Sequence, residues 1–213
     1  MQNKKMVVFS IVILLVAFFA GGAYYKNLQS ENKVKMTKEQ AQTLKRPYSL
    51  VIGNKDAKVQ LVEFFDPACG ACAYFYPKVK KLMEDKKGDI QLVLRYAPFH
   101  KNANYAVKML EGAREQGLFE ETLEFMFKTQ SSWVEHHVVN PQKLWSILAN
   151  VEGLDMELLG EFMNSTKAND IIKQDIEDTK TLKIDKTPSY FVNGEPLVDF
   201  GWDNLVKLID SHL

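Results

Sequence analysis

The stretch Val59-Gln60-Leu61-Val62-Glu63-Phe64-Phe65-Asp66-Pro67-Ala68-Cys69-Gly70-Ala71-Cys72 decides the reading of this chain. An apolar, β-branched and aromatic run of seven residues predicts a strand. A short polar turn follows, and then the chain's only two cysteines, two residues apart. A thiol pair at a strand-to-helix junction sits where free backbone N–H groups and the positive end of the helix dipole favour a thiolate. So close a pair closes too small a loop to hold a fold together, and it reads as a redox site. Soft thiolates also bind Cu(I) or zinc, which keeps a metal-binding thiol protein as the alternative, although two ligands leave such a site incomplete.

Downstream, residues 69–86 carry a helical pattern through Tyr74, Phe75, Val79, Leu82 and Met83, with Pro77 expected to kink it. Ile90 to Tyr96 is the next β-rich run, without alternation after Gln91, as expected for a strand covered on both faces. Strand, helix and strand in about forty residues predict a parallel crossover with the dithiol at the carboxyl end of the first strand, the edge where open α/β sheets place their sites. Residues 101–183 stay helical in period, with Asn140-Pro141 as a cap followed by proline, and predict a helical subdomain. Ser189–Val192, the pair Asn193-Gly194 and Pro196–Phe200 predict a hairpin, and Leu205, Val206, Leu208 and Ile209 a closing amphipathic helix.

Upstream, Lys4 and Lys5 precede an apolar stretch from Met6 to Tyr25 that ends at Lys26. Twenty residues at helical rise span roughly 30 Å, the thickness of a bilayer core. Residues 1–26 therefore read as an uncleaved signal anchor or as a signal peptide cut after Ala23. A buried core helix is the remaining alternative. The leading charge favours a cytoplasmic N-terminus with the rest exported to the extracytoplasmic, periplasmic side of an inner membrane. Residues 27–46 are polar and lysine-rich and read as a linker with a short helix begun by Thr37, either a spacer or a small oligomerisation helix.

Residues 47–213 then form one domain, long enough for a substantial core. Beyond residue 26 the chain carries 24 basic against 27 acidic residues, a net charge of −3 that gives no reason to expect nucleic acid. The four histidines are weak signals: His136-His137 reads as a surface or packing feature, and His100 has no visible partner.

Two motifs together carry a family resemblance. Val62 to Cys72, with Lys186-Thr187-Pro188-Ser189-Tyr190-Phe191-Val192-Asn193-Gly194 far downstream, resembles the DsbA-like branch of the thioredoxin superfamily. The resemblance implies an α/β thioredoxin-like fold with a helical insertion at about 101–183, and a protein thiol-disulfide oxidoreductase. It implies that Cys69 is the exposed attacking thiol and Cys72 the more buried resolving one. Glu63 would be a buried acid beneath them, with a raised pKa, relaying a proton for Cys72; a carboxyl facing solvent at a strand edge is the alternative. Pro188 would be cis, leaving the Thr187 backbone free to pair with an extended substrate; an ordinary strand residue is the alternative for Thr187.

The electrons reside in the cysteine pair, so neither a bound cofactor nor a resident metal is expected. The implied partners are protein substrates bearing thiols or disulfides and a membrane or soluble redox partner that resets the pair. A noncatalytic, chaperone-like binding domain is a further alternative. Gly70-Ala71 departs from the proline and histidine of the best-known oxidases and supplies no charged side chain to Cys69. The direction of electron flow therefore stays open.

Overall fold

In the computed structural model, residues 11, 13–22 and 36–213 are described. They fall into two units, Met1–Lys35 and Met36–Leu213. In the first, residues 13–22 form helix α1, and its apolar side chains are exposed, Leu14, Phe18 and Phe19 among them. Much of the expected Met6–Tyr25 span lies outside the described residues. Among those described, no helix is long and apolar enough to cross a membrane.

The second unit is built on Val59–Phe65, strand β2, whose side chains are buried except for half-buried Gln60. It pairs in parallel with β3 (Ile90–Tyr96), Val59 opposite Ile90 and Phe65 opposite Tyr96. The connection is helix α3 (Gly70–Asp85), the crossover that the apolar periods predict. On its other side β2 pairs antiparallel with β6 (Ser189–Val192). Strands β1 (Leu50–Gly53) and β7 (Glu195–Pro196) complete the sheet, in the order β1-β3-β2-β6-β7. The expected Pro196–Phe200 strand is thus much shorter. After Leu197 N–H bonds Tyr190 O at 2.9 Å, the chain leaves the edge toward helix α10 (Trp202–Asp210).

Alternation along β2 and β3 gives the sheet two unlike faces. Leu61, Phe65, Leu92 and Leu94 join Cys72, Phe75 and Val79 of α3 in the larger core. Val62, Phe64, Val93 and Phe191 turn the other way and meet Leu44. Each large apolar side chain removed from water in this way contributes roughly 1.5–3 kcal/mol.

Leu44 belongs to helix α2 (Lys38–Leu44), which starts at a Thr37–Gln40 capping box. The short helix expected after Thr37 is thus present, and the last eleven residues of the 27–46 segment pack within the unit Met36–Leu213. The reason is a buried ion network between β3 and helix α9 (Lys167–Thr181). Arg95, wholly buried, bonds Asp175 Oδ1 and Asp178 Oδ2, each at 2.6 Å, and reaches the Thr43 carbonyl of α2. Arg46 closes on Asp178 through Nε and Nη2 at 2.9 and 2.6 Å, and the Tyr48 hydroxyl donates to Asp175 at 2.6 Å.

The expected helical subdomain comprises α4 (Ala103–Glu115), α5 (Phe119–Lys128), α6 (Gln130–Trp133), α7 (Pro141–Leu148), α8 (Met156–Met163) and α9. Gly112 lets α4 and α8 meet, since a Cβ there would lie 2.5 Å from Leu159 Cδ1. One interruption departs from the helical reading. Val134–Glu135 (β4) and Val138–Val139 (β5) form a small hairpin whose two turn residues, His136 and His137, both have positive φ, as a tight primed turn requires.

Candidate active site

Where β2 ends, the Asp66 side chain organises the turn that presents the thiols. Its Oδ1 accepts the Ala68 N–H at 2.8 Å, and its backbone oxygen accepts the Cys69 N–H at 2.9 Å. Cys69 becomes the N-cap of α3, in extended conformation, with its sulfur accepting the Cys72 N–H at 3.4 Å. This is one residue before the helical turn in which the sequence placed it, and it aims the sulfur at the unpaired N–H groups of the helix end. Both cysteines are free thiols.

The Thr187–Pro188 bond is cis. The loop it shapes covers Cys69, whose Sγ lies 3.2 Å from the Thr187 carbonyl oxygen. Cys69 is therefore 6 % exposed, against 0 % for Cys72, which corrects the expectation of an exposed attacking thiol. The inequality between the two cysteines survives, because the residue with residual access is the first. Thr187 itself is half-buried and its carbonyl is engaged by the thiol, so the backbone expected to be free is partly occupied. Ionisation of Cys69 removes the proton that makes this contact.

The two thiols have opposite acidities. A hydrogen bond from the Cys72 side chain, reinforced by the Thr187 side chain and by backbone N–H groups of Ala71 and Cys72, outweighs burial and brings Cys69 down to about 6. Burial pushes Cys72 well above the ordinary thiol range, and both its contact with Cys69 and the charge of Glu63 add to this.

Glu63 is 1 % exposed, on the α3 side of β2, opposite Leu94 on one neighbouring strand and Tyr190 on the other. The solvent-facing alternative is thereby set aside. Burial pushes its carboxyl up to about 8. Tyr190 lies close enough to favour the ionised form, yet neither its hydroxyl nor Glu63 Oε2 completes a hydrogen bond of ordinary geometry.

Two residues near the thiols were not singled out from sequence as site residues. His100 has a partner after all: its backbone N–H and its Nδ1 both lie 2.8 Å from Asp66 Oδ2. The His137 ring stacks on it, with centroids 5.4 Å apart. The only local signal was an acidic residue ending one strand and a histidine after the next, which predicts proximity once the strands are parallel. Among the described residues no group of three or more His, Cys, Asp or Glu side chains is placed to hold a metal ion.

The thioredoxin family model matches residues 45–211, which covers the sheet, both site segments and the whole insertion. The chain belongs to the thioredoxin superfamily, in its DsbA-like branch. A probable disulfide bond formation protein D of Bacillus anthracis is 26% identical over 222 residues, covering 100% of this chain and 98% of that protein. The Na(+)/H(+) antiporter NhaA of Herminiimonas arsenicoxydans is 28% identical over 145 residues, which are 68% of this chain but 22% of the antiporter. The chain thus spans about a fifth of that relative's length, and no ion exchange comes with the match. The crystal structure of Wolbachia pipientis alpha-DsbA1 superimposes with a TM-score of 0.66 at 19% identity, covering 81% of this chain and 94% of that one, a likeness of fold.

Proposed function

We propose that this DsbA-like chain is an extracytoplasmic protein thiol-disulfide oxidoreductase working through Cys69 and Cys72. The observation that carries the reading is the inequality of the two thiols. At pH 7 a thiol with a pKa of about 6 is roughly nine-tenths ionised, whereas its mate holds its proton.

In the reducing direction the Cys69 thiolate attacks one sulfur of a substrate disulfide. A Cys69–substrate bond forms, the substrate S–S bond breaks, and one substrate thiolate leaves. Cys72 then gives its proton toward Glu63 and attacks the Cys69 sulfur, closing Cys69–Cys72 and releasing the second substrate thiolate. Two electrons pass to the substrate, and the same steps reversed oxidise a dithiol. Thr187 and Pro188 lie over Cys69, where an extended polypeptide would add main-chain hydrogen bonds that select no particular sequence. A membrane or soluble redox partner resets the pair. The apolar run 6–25 serves as membrane anchor, a role supported by the exposed apolar surface of α1.

The test is a trap. Cys72→Ser leaves the attacking thiol without its resolving partner, so the protein recovered from intact cells carries mixed disulfides through Cys69, while Cys69→Ser carries none. Absence of any trapped species in Cys72→Ser would count against exchange and in favour of a binding domain.

A further inference from the structure

No side chain between the cysteines supplies a charge, since Gly70 and Ala71 have none to give. The charged neighbourhood of Cys69 comes instead from a different segment. The carboxyl group of Asp66, itself fully buried, uses one oxygen to hold the turn that delivers Cys69 and the other to grip the loop after β3. That second oxygen receives both the backbone N–H and the ring of His100, whose side chain keeps 18 % of its surface exposed. His137, from the turn between β4 and β5, closes the outer face of the ring by stacking. Asp66 from the turn before α3 and His137 from the hairpin contact the imidazole, Cys69 lies within electrostatic reach of it, and Lys101 is next to it in the chain.

We propose that His100, seated on Asp66, is a positioning residue that supplies the cation stabilising the Cys69 thiolate, and so sets how oxidising the dithiol is. This rests on the exchange reading above and adds to it the source of the charge. Two effects support it. The hydrogen bond to Asp66 raises the imidazole's proton affinity, so the ring is charged further into the neutral range, and ionisation of Cys69 raises it again. A cation that gains from a thiolate must stabilise that thiolate by the same amount.

The experiment follows thiolate absorbance against pH in the purified reduced protein, together with its reduction potential, for the wild type, His100→Gln and His100→Arg. Glutamine keeps a donor for Asp66 but no charge; arginine keeps a permanent charge. His100→Gln is expected to raise the Cys69 pKa by about one unit, the scale of one screened charge at close range. At pH 7 that is roughly a fivefold loss of reduced-state stabilisation, about 20 mV toward the reducing side. His100→Arg restores the wild-type titration.

An unshifted titration in His100→Gln overturns the proposal, and so does a shift that His100→Arg fails to reverse, which would assign His100 to shape rather than charge. A wild-type readout needs no variant: the imidazole's pKa, followed by NMR, falls when the pair is oxidised, and an unchanged value also overturns the proposal. If the wild type shows no reversible dithiol-disulfide couple at all, the failure is of the exchange reading instead.

Discussion

Two sets of buried carboxyls lie against opposite faces of the central strands, Glu63 on β2 itself and Asp175 and Asp178 on α9, and are treated in opposite ways. On one face Glu63 sits beneath the thiols with no cation beside it among the described residues, and burial pushes it up to about 8. On the other, burial pushes Asp178 up as well, but hydrogen bonds from Arg46 and Arg95 reverse this and leave it below its ordinary value. Glu63 lies opposite Leu94 on β3, and the next residue of β3, Arg95, turns to the other face to hold Asp178 of α9, so one face keeps a protonated acid and the other an ionised one. A compensated carboxylate ties α9, α2 and β3 together, whereas an uncompensated one costs stability and can exchange protons near neutrality.

The pH windows follow with opposite signs. For Glu63 the folded pKa lies above the unfolded one, so the unfolded chain ionises first. Stability is complete below 4.5 and is lost progressively as pH rises to about 8, by up to roughly 4–5 kcal/mol. For Asp178 the folded pKa lies below 3.8, so its contribution is present above that value and is lost as pH falls through the folded pKa.

Breaking the paired side should have the largest effect. Arg95→Met leaves Asp175 and Asp178 buried with only Arg46 as counterion, and the expected loss is about 3–5 kcal/mol in urea unfolding at pH 7. The exchange rate per folded molecule should stay at the wild-type level. A loss under about 1 kcal/mol would show that the network is not under the tension that burial implies.

Breaking the unpaired side should do the reverse. Glu63→Gln removes the titration, so stability no longer falls between pH 4.5 and 8, and the variant is the more stable protein at pH 8 and about equal at pH 4. Resolution of the mixed disulfide by Cys72 should slow about a hundredfold, the lower end of what a positioned proton acceptor contributes. A variant that keeps the wild-type pH slope would remove Glu63 from the account.

The two sides also differ in how far the sequence disclosed them. Glu63 is legible through the family resemblance, which marks the acid six residues before the thiol pair, while the apolar strand around it left a solvent-facing side chain open. The parallel crossover, the hairpin at Asn193-Gly194 and the closing helix are legible because period and turn chemistry act over a few residues. The network is not. Arg95 interrupts an apolar run without any neighbouring sign of its partners, which arrive from 80 and 83 residues away. Arg46 meets Asp178 across 132 residues, which is why a segment of ordinary linker composition turns out to belong to the domain. Asp66 and His100, 34 residues apart, meet only because the two strands they follow run in parallel. Strand β1 went unread because Leu50-Val51-Ile52-Gly53, alternately half-buried and exposed at an edge, is too short to carry a pattern.

The smallest expected effect sharpens the comparison on the unpaired side. Tyr190 is the neighbour that favours the ionised form of Glu63, and its own hydroxyl is pushed well above the ordinary phenol range, first by burial and then by the Glu63 charge. In Tyr190→Phe the ring still packs on Phe75, 6.1 Å away, and a buried hydroxyl without a partner disappears. Stability should therefore change by less than about 1 kcal/mol, the loss of a weak polar contact being offset by the loss of an unsatisfied group. The carboxyl, however, loses what favoured its ionised form, so its pKa moves further up and less of it is free to accept the Cys72 proton at pH 7. The rate at which Cys72 resolves a mixed disulfide should fall a few-fold at pH 7 and its pH profile should move to higher pH. If the profile stays in place, Tyr190 acts only through packing, and the acidity of Glu63 is set by burial alone.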